Sequence, residues 1–396
     1  RKLANRPGPS LGYVKEFEGL RGLMALWVLL GHWAISVPIK LGVPDAKLYN
    51  GYAVDVFVML SGFAIFALLE GRHEGYTPYL IRRFFRIFPV YVFYLAISVA
   101  IQPLVRDAFL GGPHAFMQDR RLDILDNTEA HWWPHLLAHI TLLHGLVPER
   151  WLPDTNFAFL GQAWSLSLEW QFYLVAPFLL GMTKGRYRLW AVATLLIVTL
   201  AALALRSMMG SGFLGAKFHL FLVGIATLYF MKEVRLRQIS VTSPTAIAIF
   251  ACVICFLMLF RSASVLPFLV WAGAVYVGLS GREVSQGWAA LPSRFLNSGP
   301  IQWLGHISYS LYLCHMILIT AGLLILERIP GLDGRSFAVA LLLMVLPASL
   351  LMSSLSFILI ERPFMRIGSN WAKRGKAPDK ATEASPRPDK AAPQLS

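Results

Sequence analysis

The chain is poor in charge: of its 396 residues only 15% are Asp, Glu, Lys or Arg, where a soluble domain carries about a quarter. With 56% hydrophobic residues and a mean hydropathy of +0.56, this shortage excludes an ordinary soluble domain and indicates a polytopic membrane protein. Cysteine is scarce as well. Cys252, Cys255 and Cys314 all lie in apolar runs, which excludes a disulfide framework and leaves the Cys252/Cys255 pair without further ligands for a zinc or redox centre. No metal is expected. There is no strong internal repeat of the kind many transporters carry, and no soluble catalytic domain, so any chemistry is expected within the membrane part. A cleavable signal peptide is not expected either, because the first apolar run carries Arg21 and His32 and no small-residue cleavage site follows it.

What is present is a series of apolar stretches long enough to span a bilayer, at about 21–39, 51–70, 84–105, 162–182, 189–206, 214–231, 243–260, 264–280, 301–326 and 337–360. The fold class expected is therefore all-α, a bundle of about ten transmembrane helices. With both termini cytoplasmic, the inner segments collect 24 Lys and Arg against 10 outside, which satisfies the positive-inside rule. The formal charge of +14 is thereby assigned to topology rather than to nucleic acid. The run 131–147 is short and bounded by Pro134 and Pro148, and reads as interfacial or re-entrant. His131, His135 and His139 recur there at every fourth position beside Trp132 and Trp133, a pattern that fits an interfacial aromatic segment better than a metal site. Residues 1–368 form the transmembrane domain in this reading, and 369–396, rich in Lys, Ala and Pro, a disordered cytoplasmic tail. The external loop 106–161 is the candidate lid or acceptor-binding segment.

Ionisable residues inside a membrane are costly and are by default functional. The first span carries Arg21 at its entrance and His32 eleven residues on, roughly 16 Å along a helix. Asp55, Glu169 and His315 fall at comparable depths on three other spans, so that with His32 they are expected in one layer. A buried His paired with a carboxylate is equipped to take a hydroxyl proton, and His32 with Asp55 is the pair expected. His315, flanked by Ser310 and Tyr312, is equally well read as interhelical glue. On the opposite side Arg83 and Arg86 share a helix face and, with Arg21, offer a cationic pocket for a phosphorylated ligand.

Six stretches taken in order, Arg21-x10-His32, Val54 to Phe63, Arg82-Arg83-Phe84-Phe85-Arg86-Ile87-Phe88-Pro89, Trp164-Ser165-Leu166-Ser167-Leu168-Glu169, Ile307 to His315 and Glu361-Arg362-Pro363, resemble the acyltransferase-3 family over about residues 15–366. The resemblance implies a membrane O-acyltransferase of the bacterial inner membrane. It implies an acyl-CoA donor, acetyl-CoA above all, entering from the cytoplasm, and a glycan or lipid-linked sugar hydroxyl as acceptor outside. It implies His32 as catalytic base, Arg21 in the same motif, Arg83 and Arg86 on the donor, and Asp55 at an acidic position of the second span. Glu169 stands with these as a catalytic candidate; Ser61, Trp164, Tyr309, His315 and Glu361 are supporting candidates. Where the family often has two consecutive acids, this chain has Glu169 followed by Trp170. Direct transfer and an acyl-enzyme on Ser61 or a His both remain open at this level, and a proton-coupled transporter is the alternative from another class.

Overall fold

The computed structural model of the protein describes residues 13–39, 50–72, 74–111, 117–183, 208–243, 265–281 and 290–374, with residues 113, 115, 197, 200, 204 and 205. All regular elements among them are helical: α1 (Lys15–Ala34), α2 (Gly51–Gly71), α3 (Tyr76–Leu110), α4 (Gln118–Ala130), α5 (Trp132–Ile140), α6 (Trp164–Thr183), α7 (Leu214–Leu236), α8 (Leu266–Ser280), α9 (Leu291–Leu296), α10 (Gly299–Leu326), α11 (Gly334–Ser356) and α12 (Arg362–Arg374). α2, α3, α7, α10 and the continuous rod from Gly334 to Arg374 are long and apolar enough to cross a membrane, as expected of an all-α membrane protein. The expected spans at 189–206 and 243–260, with Cys252 and Cys255, lie almost wholly outside the described residues. Residues 375–396 do too, whereas 369–374 continue α12 beyond the point where the sequence reading starts the tail.

The helices alternate in direction, so that one end of the bundle gathers Lys15, Arg72, Arg82, Lys232 and Arg294 and the other is covered by residues 111–163. We call these the basic end and the capped end. α1 and α10 run parallel and touch backbone to backbone: a Cβ on Gly22 would lie 2.6 Å from the Gly305 nitrogen. Small residues permit such close approach, the usual basis of helix association where no hydrophobic effect operates. α2 and α7 interlock the same way, with Gly62 against Phe221 and Gly224 against Met59. Around them the core is aromatic and aliphatic, with Tyr52, Tyr91, Phe172 and Phe221 among its fully buried side chains.

Two local irregularities shape the site. α1 ends at Ala34, short of the expected 39, so His32 lies in its last turn. Between α11 and α12, Phe357–Glu361 form a π-turn; Pro363 has no N–H to offer the Leu359 carbonyl, and the register slips by one. That slip turns Glu361 into the bundle, where its side chain is fully buried.

The cap is a folded layer. α5, nine residues long, reaches about 13 Å and does not span. The cap is bonded to the bundle through Ser98 Oγ to the Phe159 carbonyl (2.7 Å), Tyr91 OH to the His139 carbonyl (2.9 Å) and Trp132 Nε1 to Gln102 Oε1 (2.9 Å). Of the residues expected in an interfacial segment, His131 and Trp133 are exposed but His135 and His139 are buried together with His144, and the His139 and His144 rings stack with centroids 4.0 Å apart. Burial holds His139 down to about 4, so the stack is neutral at physiological pH.

Candidate active site

Two cavities lie in line through the bundle. The one nearer the basic end, about 130 Å³, is lined by Arg21, Arg83, Arg86, Ser61, Glu169 and Tyr309 among others. α1 and α3 both enter from the basic end and both pack on α10, and the one-turn spacing of Arg83 and Arg86 turns both inward. Arg21 Nη1 pairs with Glu18 at 2.9 Å, Arg86 Nη1 lies 3.4 Å from Glu361, and the Arg83 guanidinium rests over the Tyr173 ring at 5.7 Å with its Nε buried and unbonded. Ser310 Oγ donates to the second oxygen of Glu361 at 3.0 Å. The three arginines that the sequence groups thus face one cavity, two of them backed by carboxylates and Arg83 by an aromatic face.

Glu169 belongs to this cavity and not to a layer with His32. Ser61 Oγ donates to its Oε1 at 2.8 Å, and Tyr173 OH donates to the same oxygen. Glu169 is five residues into α6, but axial depth says nothing about azimuth, and its side chain turns toward α2 and α3. Tyr309, one of the supporting candidates, donates to the Ile87 carbonyl at 2.8 Å and lines the same space.

The second cavity, about 410 Å³, lies under the cap and is mainly apolar; His32, Asn50, Gln102, Arg121, Gln162 and Trp164 are its principal polar or amphipathic lining. His32 Nε2 is 3.1 Å from Asn50 Nδ2, and its Nδ1 is buried without a partner. Behind it the buried His315 ring lies 5.1 Å away, its Nδ1–H donating to the Leu311 carbonyl at 3.2 Å. Ser36 Oγ donates to the His32 carbonyl at 2.6 Å and accepts from Arg121 Nη1 at 2.8 Å. His32 is half-buried, its Nδ1 covered under the cap, since helix α1 ends two residues later.

The expected His32–Asp55 pair does not form. Asp55 Oδ1 accepts from Lys217 Nζ of α7 at 2.6 Å, because the first turn of α2 presents Asp55 to α7, and an ammonium is a stronger partner for a carboxylate than a neutral imidazole. Asn50 fills the place at His32. Sequence reasoning passed over Lys217, although it is the one Lys inside any of the expected spans, and such a residue is itself a signal. Arg121 was passed over as well, having been counted as one more external cation; nothing in the sequence sets it apart from Arg120.

The cavities share Val54 and Tyr312 as lining. The Tyr312 hydroxyl bonds the Gln162 carbonyl at 2.9 Å and Ser165 Oγ at 2.7 Å, and the ring lies edge-on to Phe57 with centroids 5.9 Å apart. Chemically, the arrangement offers a cationic chamber suited to phosphate oxygens, a chamber with an imidazole nitrogen that makes no hydrogen bond, and a thin wall between them. Among the described residues no group of three His, Cys, Asp or Glu is disposed to hold a metal ion.

The chain is 24% identical to the acyltransferase MdmB of Streptomyces mycarofaciens, over 96% of this chain and 98% of that protein. It is 25% identical to the peptidoglycan O-acetyltransferase OatA of Listeria monocytogenes over 91% of this chain, and spans only 57% of that protein's length. No solved structure matches it. The family model described as an acyltransferase domain matches residues 14–354, almost all of the helical bundle and both cavities, and the chain accordingly belongs to the acyltransferase-3 family of membrane acyltransferases.

Proposed function

We propose that this protein moves an acyl group, acetyl above all, from acyl-CoA at the basic, cytoplasmic end to a hydroxyl of a glycan, lipid-linked sugar or related acceptor under the cap, outside the bacterial inner membrane. The observation that carries the reading is the alignment of an arginine-lined cavity and a histidine-bearing cavity on either side of one shared wall. The donor has phosphates at one end and a thioester at the end of a long thin arm. Arg21, Arg83 and Arg86 suit the phosphates, and a space of about 130 Å³ suits an arm rather than a nucleotide, which would stay toward the basic end. The peptidoglycan O-acetyltransferase and acyltransferase relatives support acyl transfer to a hydroxyl.

In this reading His32 is the general base. The base needs the Asn50 amide turned over from the orientation in which its Nδ2 faces Nε2 at 3.1 Å: with the oxygen turned to accept from Nε2–H, the imidazole is held in the tautomer whose Nδ1 is free. Nδ1 takes the proton of the acceptor hydroxyl as its oxygen attacks the thioester carbonyl; the C–S bond breaks, the sulfur leaves as thiolate and is protonated, and an ester and free CoA result. Ser61, hydrogen-bonded to Glu169 on the donor side, supports a second reading in which the acyl group passes through a seryl ester. One experiment separates them: release of CoA from acetyl-CoA by the purified full chain with glycan acceptors. His32→Ala is expected to lose at least about a hundredfold in turnover while Ser61→Ala keeps most of it. Full turnover in His32→Ala sinks the base assignment, and loss in Ser61→Ala favours the seryl ester.

A further inference from the structure

The cavity under the cap contains a cation with no anionic partner among the described residues. Two arginines of α4 line it, and they differ. Arg120 is engaged by Asp154 through both terminal nitrogens, and Asp154 is further held by Asn127 at 2.8 Å, so its charge is neutralised. Arg121 has Nη1 on the Ser36 hydroxyl and its guanidinium over the Phe109 ring at 4.9 Å, while Nη2 is buried with no hydrogen-bond partner. Among the described residues no Asp or Glu lines this cavity. A guanidinium nitrogen buried without a carboxylate is costly; over an aromatic ring it recovers only part of that cost.

Three further polar atoms face the same cavity unsatisfied. Gln102 and Gln162 are both more than nine-tenths buried. Gln102 Oε1 accepts from the Trp132 indole and its Nε2 has no partner; Gln162 Nε2 donates to the Leu313 carbonyl at 2.7 Å and its Oε1 has none. Those bonds fix both amides, since an indole N–H only donates and a carbonyl only accepts. The third is His32 Nδ1. One free amide donor, one free amide acceptor and a base suit a ligand with several hydroxyls, while Ile101, Val105, Phe109, Ile124, Phe157 and Met316 suit an apolar body.

We infer that the cavity under the cap is a binding site for a hydroxyl-bearing amphiphile that carries an anionic group, with the anion held by Arg121 beside His32. The inference rests on the acyl-transfer reading for the ligand's role as acceptor, but the anion site itself does not. Arg121 then selects the substrate: an acceptor whose anion pairs with Nη2 is registered with a hydroxyl at His32 Nδ1, and a neutral analogue leaves the guanidinium buried and unpaired.

The test uses the full chain in nanodiscs of zwitterionic phosphatidylcholine, titrated calorimetrically, without acyl donor, with hexyl glucuronide and with hexyl glucoside. These probes share the alkyl arm and ring and differ in the carboxylate. The glucuronide is expected to bind roughly tenfold more tightly, the effect of one charge-assisted hydrogen bond, with the preference lost in Arg121→Gln and partly kept in Arg121→Lys. Equal affinities in the wild type, a preference that survives in Arg121→Gln, or no binding of either probe overturns the inference. The wild-type comparison stands even where a variant fails to fold. Glucuronide binding through Arg121 in a protein that releases no CoA from acetyl-CoA would sink the acyl-transfer reading alone; acetylation of charged and neutral acceptors with equal KM would sink this one alone.

Discussion

Arg83 and Arg86 read alike in sequence, one turn apart on α3, yet their removal should have different costs. Arg86 is the cationic partner of Glu361, whose side chain is 0% exposed and otherwise bonded only by Ser310. Arg86→Ala leaves that carboxylate buried with one hydroxyl. Removing one member of a buried pair costs about 3–5 kcal/mol, and since Arg86 is 27% exposed to its cavity, about 2–3 kcal/mol is expected. Arg83 sits over Tyr173, a contact worth about 0.5–1 kcal/mol, and its truncation strands no charge. Reversible unfolding of the purified chain in mixed micelles, followed by circular dichroism, should therefore separate the two alanine variants by about 2 kcal/mol, or roughly thirtyfold in folded-to-unfolded ratio. Arg86→Ala combined with Glu361→Gln should recover most of the loss, because Gln keeps the Ser310 bond and carries no charge. Equal losses in the two single variants, or no recovery in the double variant, would refute the reasoning. If the ordering holds, Arg83→Ala is the clean reporter of donor affinity, and weakened acetyl-CoA binding in Arg86→Ala must be corrected for unfolded protein.

Asp55→Asn should lower stability by about 2–4 kcal/mol by stranding the Lys217 ammonium, with Asp55→Asn/Lys217→Gln recovering both stability and turnover; failure of the double variant to recover turnover while it recovers stability would return Asp55 to the catalytic group. In the cap, burial raises the Asp154 carboxyl, but the hydrogen bonds from Arg120 and Asn127 outweigh it and hold the group below its usual range. A lowered folded-state value means the contribution is present above the ordinary Asp value of about 3.9 and is lost as the pH falls through the folded value. Hydrogen exchange of residues 118–160 should thus rise on acidification below about pH 4, and Asp154→Asn, which tolerates the left-handed φ of 58° at this position, should remove that pH dependence and raise exchange at neutral pH.

The helical architecture was legible because period and charge asymmetry are properties of the sequence itself, and the grouping of Arg21, Arg83 and Arg86 was legible because all three enter from one end. Position along a helix does not carry rotation about it. Hence Glu169 and His32, assigned to one layer, face different cavities, and Asp55 faces α7 instead of α1. The depth of His32 was misjudged for another reason: the apolar run continues to 39 but the helix stops at Ala34, and the half-buried residue is covered by the cap, whose folding depends on contacts far apart in sequence. The transporter alternative drew on the same intramembrane His and acids; membership of an acyltransferase family favours acyl transfer over it.

The wall between the cavities has a consequence for leakage. Tyr312 is tied by two hydrogen bonds to the residues that begin α6 and braced by Phe57, so the barrier is one side chain thick yet anchored to a helix end. In the proposed transfer a group handed across such a septum would need no water-filled path, and the two faces of the bilayer would stay insulated from one another while the acyl group changes partners.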